Sequence, residues 1–100
     1  MTQKQILRAV KRIKKKERIL DEALKRMDEA GEDPRALLDY QSEIKKLEDY
    51  YSSRDWKDDY ALDEEGLLPE DLKRGVLSED GIYDALERNK DLLSLYNLNA

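Results

Sequence analysis

The sequence predicts an all-α protein: a long antiparallel helical hairpin with a C-terminal helical subdomain packed on it. Apolar residues recur at steps of three and four along most of the chain, and no segment shows the period-two alternation of a strand. Charged residues make up 43% of the 100 residues, apolar residues 39%, and the mean hydropathy is −0.94. Long charged helices with narrow apolar stripes produce that balance without disorder. The length suits a single domain, divided here into a hairpin over 3–51 and a helical subdomain over 52–96.

The first helix is expected over 3–30. Ile6, Val10, Ile13, Leu20, Leu24 and Met27 form a heptad seam in which Glu17 is the one polar position. Gly31, Asp33 and Pro34 then punctuate, as a left-handed residue, an N-cap and a first helical residue. One continuous second helix is expected over 34–51, with Leu37, Tyr40, Ile44, Leu47 and Tyr51 inward and Tyr50 part-exposed. Ser52 and Ser53 are cap candidates for a third helix over 54–64, with Asp55 able to close a capping box on Ser52. That helix presents Trp56 and Tyr60 one turn apart and ends at Gly66. A short helical turn opens at Pro69 and closes at Gly75, and a last helix, capped by Ser78, covers 79–96 before a frayed tail. Trp56, Tyr60, Leu68, Leu72, Val76, Leu77, Ile82 and Leu86 are expected to lock the two halves together.

Composition narrows the chemistry. The chain has no cysteine and no histidine, which excludes disulfides, thiolate metal sites and imidazole general bases. No apolar run approaches a membrane span and the N-terminus has no secretory pattern, so a cytoplasmic location is expected. Neither an enzyme nor a cofactor is expected. The run DLKRGVLSEDGIYDALE lacks the Gly-Lys-Ser/Thr entry of a phosphate loop, and Glu79 and Asp80 would repel phosphate from the helix that follows. It reads as a compact turn in which Lys73 and Arg74 exceed what a helix end requires. Gly81 costs about 1 kcal/mol against alanine in a helix, which points to close packing by another segment or by a partner.

The acids Asp55, Asp58, Asp59, Asp63, Glu64, Glu65, Glu70 and Asp71 lack the spacing of an EF-hand loop and read as a solvated face. Residues 1–16 hold seven basic residues and no acid, so the remaining 84 carry −12 of the net −5. Lys4, Arg8, Lys11, Arg12 and Lys15 lie largely opposite the apolar stripe. They could pair with acids of neighbouring helices or of a second subunit, bind a nucleic-acid backbone, or rest on anionic lipid. Six tyrosines and one tryptophan, each with an apolar body and a polar tip, suit the edge of a thin core or an interface.

The block YYSSRDWKDDYALDEEGLLPEDLKRGVLSEDGIY, starting at Tyr50, resembles the C-terminal signature of a bacterial family classed as a domain of unknown function, DUF4298. That resemblance extends over about 17–96, leaving out the basic leader, and implies a folded bacterial cytosolic protein with no activity to carry over. The leading expectation is a non-enzymatic protein-interaction or small regulatory module, whose partner is another protein or a second copy in a homodimer. Its candidate partner-binding residues are Lys73, Arg74, Gly81, Trp56, Tyr50 and Tyr60. The alternatives are a nucleic-acid-associated protein using Lys4, Arg8, Lys11, Arg12 and Lys15, or an acidic mimic of nucleic acid.

Overall fold

The computed structural model describes residues 2–98. Five α-helices and one 3-10 turn make up their regular structure: α1 (Gln3–Asp28), α2 (Pro34–Asp39), α3 (Gln41–Tyr51), α4 (Arg54–Glu64), the 3-10 turn Gly75–Leu77, and α5 (Glu79–Leu95). The protein is all-α. Thr2 and Gln5 close a capping box that starts α1. A helix of 26 residues is about 39 Å long, so α1 sets the long dimension of a body measuring 46 × 23 × 20 Å.

Along α1 and the returning chain the contacts run in opposite order. Arg26, near the end of α1, meets Ala36 and Tyr40, whereas Lys16 lies over the ring of Tyr50 at the end of α3. Ile13, Leu37, Leu47, Leu62, Val76 and Ile82 are almost fully buried, so every helix and the 3-10 turn contribute to one core. Trp56 joins the halves. Its indole Nε1–H donates to the Val76 carbonyl at 2.8 Å, and its ring packs edge-on to Tyr51 and stacks with Tyr60. All the expected locking residues are buried except Tyr60, which is half-buried.

The expected single helix over 34–51 is two helices broken at Tyr40. Side chains reach two carbonyls at the break, and Leu37 O also accepts the Tyr40 N–H in an i→i+3 bond. Arg26 donates to Ala36 O at 2.7 Å and Gln41 Nε2 donates to Leu37 O at 3.1 Å, so the ladder opens between them. Gln41 is itself held by Asn89 of α5 through reciprocal amide hydrogen bonds of 2.8 and 3.0 Å.

Other local expectations need correcting. Ser53, not Ser52, caps α4 and accepts from Trp56 N, so the box with Asp55 does not form. Gly66 is the left-handed glycine, at φ 70°, and Gly31 is not. The segment after Pro69 forms one hydrogen-bonded turn, Leu72 N–H to Pro69 O, but does not continue as a helix to Gly75; Arg74 bonds the Pro69 and Leu72 carbonyls from the side. Gly75 opens the 3-10 turn instead of capping a helix. Tyr50 is buried and Tyr51 half-buried, the reverse of the expected pair. The expected frayed tail falls partly on residues 99–100, outside the described residues.

Candidate functional site

The residues singled out in the C-terminal block turn out to be occupied within the fold. Lys73 Nζ donates to Asp21 Oδ2 at 2.8 Å on the surface, a bond that raises the lysine pKa. Arg74 bonds Asp63 as well as the two carbonyls, tying the end of α4 to the loop after it. At Gly81 a Cβ would lie 3.1 Å from Ser78 Oγ, 3.2 Å from Ser78 Cβ and 3.5 Å from Gly75 O, so the close neighbour is the chain's own turn. Trp56 and Tyr50 are buried, and Tyr60 is half-buried over Trp56.

Tyr50 belongs to a buried polar cluster centred on Asp59, whose side chain is fully inaccessible. Arg12 Nε donates to Asp59 Oδ2 at 2.9 Å, its second guanidinium nitrogen donates to Oδ1, and the Tyr50 hydroxyl donates to Oδ2 at 2.7 Å. The hydrogen bond to Asp59 raises the Arg12 pKa, outweighing the burial that opposes it. Burial above all, reinforced by the bond to Asp59, pushes the Tyr50 phenol far above its ordinary value. A buried carboxylate needs such compensation. Asp59 and Asp63 therefore depart from the expected solvated acidic face, and Arg12 departs from the expected nucleic-acid set. No spacing signal marked Asp59 as the buried member of its acidic run.

A second buried carboxylate, Glu17, accepts from Val76 N at 2.6 Å. Its place as the lone polar residue of the α1 seam was legible, but its partner 59 positions away was not. Among the described residues, no group of three or more carboxylates converges to hold a metal ion. Nor is any helix long and apolar enough to cross a membrane.

The basic helix presents the contrasting surface. Lys4, Arg8, Lys11 and Lys15 are all exposed and follow one another at alternating steps of four and three, on the side of α1 away from the core. Arg18 continues the series, Lys14 lies beside it, and Leu7 sits within it at 56% exposure. Two open grooves flank the stripe. One, of about 590 Å³, places Lys11, Lys15, Lys16 and Lys46 beside Asp49 and Asp55. The other, of about 390 Å³, places Lys14 and Arg18 beside Asp21 and Asp71. The arrangement can attract an anionic surface of about one helix's width, and carboxylates border it on both sides.

Fold and surface together define a small all-α protein with a stitched interior and a cationic face on α1 that makes no ion pair among the described residues. The chain belongs to the family described as Domain of unknown function (DUF4298), whose model matches residues 13–98. No curated protein and no solved structure matches it. Lys4, Leu7, Arg8 and Lys11 precede the matched span, so the cationic face is described for this chain and not for the family.

Proposed function

We propose that this chain is a non-enzymatic interaction module that docks a carboxylate-bearing protein surface on the outer side of α1, between Lys4 and Arg18. One observation carries the reading. Of the seven basic residues in the first 16 positions, only Arg12 has a carboxylate partner among the described residues, whereas nine of the twelve elsewhere are ion-paired. The C-terminal candidates already make intramolecular contacts, which favours α1 as the docking face.

Exposed Leu7 within the stripe favours a protein, because interfaces combine an apolar anchor with charges that set register. A nucleic-acid backbone is the second reading, supported by the regular spacing of the cations. The bordering carboxylates disfavour it, since a duplex is wider than the stripe and would bring phosphates against Asp49, Asp55 and Asp71.

Fluorescence anisotropy with a carboxylate-rich helical peptide and with duplex DNA, at low and physiological salt, tests the two. The peptide is expected to bind, and Lys4→Gln/Lys11→Gln/Lys15→Gln to weaken it at least tenfold. Tighter binding of the duplex than of the peptide would replace the first reading by the second. Removing residues 1–16 is not a clean substitute, because it also removes Arg12 from Asp59.

A further inference from the structure

We infer that the acidic surface taken by α1 is supplied by a second copy of this chain, through the outer face of the first turns of α5. This rests on the docking face proposed above and names its occupant. Glu79, Asp80 and Asp84 have no ion-pair partner among the described residues, and Tyr83 stands among them at 51% exposure. Acids at the start of a helix complement its dipole, which accounts for Glu79 and Asp80. It does not account for Asp84, one turn further on, or for an exposed tyrosine between them.

The two faces match in kind. Each is one helix wide, and each surrounds a single large apolar side chain (Leu7 on α1, Tyr83 on α5) with charges of one sign. Within one molecule the basic stripe makes no ion pair with α5, so both faces stay available in the monomer. Both copies carry −5, but charges are screened over about 8 Å at physiological salt, so the facing stripes decide the contact rather than the net charge. Because the two surfaces differ, a two-fold pair would make the contact twice. Isolated surface ion pairs contribute little, so the association depends on several at once and on Leu7 meeting apolar surface. Weak, salt-sensitive self-association is the expected behaviour.

Sedimentation velocity on the full chain, from micromolar to submillimolar concentration at physiological and high salt, reads this directly. The wild type is expected to self-associate near physiological salt, where the net repulsion is screened, and to dissociate as salt rises toward about 1 M. Lys4→Glu/Lys11→Glu/Lys15→Glu and Asp80→Lys/Asp84→Lys should each be monomeric, with helicity by circular dichroism confirming that each is folded. An equimolar mixture of the two should restore the complex, because each supplies the charge the other now needs. A wild type that stays monomeric throughout, variants that still self-associate, or a mixture that does not pair overturns the inference. If the chain stays monomeric yet still binds the acidic peptide, the inference fails and the proposed function stands; if neither occurs, both fail.

Discussion

Glu17, in the middle of α1, accepts the backbone N–H of Val76 at 2.6 Å and so fixes the 3-10 turn against the long helix. Gly75 allows the approach. A Cβ there would lie 3.1 Å from Glu17 Oε1 and 3.5 Å from Leu20 Cδ2. Glu17→Ala leaves a buried N–H without an acceptor and is expected to cost about 1–3 kcal/mol, while Glu17→Gln retains an acceptor and costs less. Gly75→Ala crowds a carboxylate that cannot swing away without losing Val76, and is expected to cost on the order of 1–3 kcal/mol. Urea unfolding monitored by circular dichroism ranks the three. Equal stability of Glu17→Ala and Glu17→Gln would show that the hydrogen bond contributes nothing.

Arg12 and Asp59 set the next expectation. Arg12→Leu strands a carboxylate with no access to solvent, so the expected loss is about 3–5 kcal/mol, from removing one member of a buried pair. The double variant Arg12→Leu/Asp59→Leu should recover much of that loss, because no buried charge remains unpaired. A double variant no more stable than Arg12→Leu would mean that packing around the guanidinium, and not charge compensation, dominates.

Tyr50 ties the same cluster to pH. Its phenol is raised above the ordinary 10.0, so the folded state holds this proton more tightly than the unfolded state does. The associated stability is fully present below pH 10 and falls as pH rises past that value, where only the unfolded chain ionises. Thermal unfolding of the wild type should therefore lose stability above about pH 10, and Tyr50→Phe should show a shallower loss. Tyrosinate absorbance should show one phenol ionising only as the protein unfolds. A slope unchanged by Tyr50→Phe would assign the alkaline loss to other groups.

Much of this architecture was legible because it rests on local rules. Periodicity located α1, α4 and α5, and Pro34, Gly66 and Ser78 marked boundaries through backbone preferences that need no tertiary partner. The errors have a common physical origin. The break at Tyr40 comes from Arg26 and Gln41 reaching carbonyls of another turn, and Gln41 is held in turn by Asn89. Asp59 reads as part of a solvated acidic run because its compensating Arg12 lies on α1, 47 positions away, and the Tyr50 hydroxyl reaches Asp59 only once α3 and α4 are packed together. Side-chain bonds across such separations leave no spacing pattern in a single sequence. The cationic stripe is legible for the opposite reason: its charges recur at steps of three and four, a local pattern, although only the fold shows that they lack carboxylate partners.

Lys73 and Arg74 looked equivalent in sequence and are not equivalent in the fold. Lys73 makes one exposed pair with Asp21, and exposed pairs of this kind contribute little to stability. Arg74 bonds Asp63 and two loop carbonyls while half-buried, and charged hydrogen bonds of this kind contribute about 1.5–3 kcal/mol. Lys73→Ala should scarcely move the urea midpoint, whereas Arg74→Ala should lower it and speed hydrogen exchange at Leu72, whose N–H bonds Pro69 O. A Lys73→Ala effect as large as that of Arg74→Ala would contradict this ranking.

Gly81 gives the sharpest test, because two opposed effects of similar size meet there. Replacing a helical glycine by alanine gains about 1 kcal/mol from propensity alone. Here the new methyl would press on Ser78, whose hydroxyl accepts from Gly81 N at 3.2 Å as the cap of α5. Ser78 could turn its hydroxyl away only by giving up the cap, at about 0.5–2 kcal/mol, and its Cβ cannot turn away at all. Crowding therefore wins, and Gly81→Ala is expected to be net destabilising by about 1 kcal/mol. In a Ser78→Gly background the obstructing atoms are gone and the same substitution should become stabilising. Thermal unfolding of the four members of this cycle reads the sign directly. A Gly81→Ala that stabilises the wild type would show that the turn from Gly75 to Ser78 yields easily, and would remove close packing as the reason for the glycine.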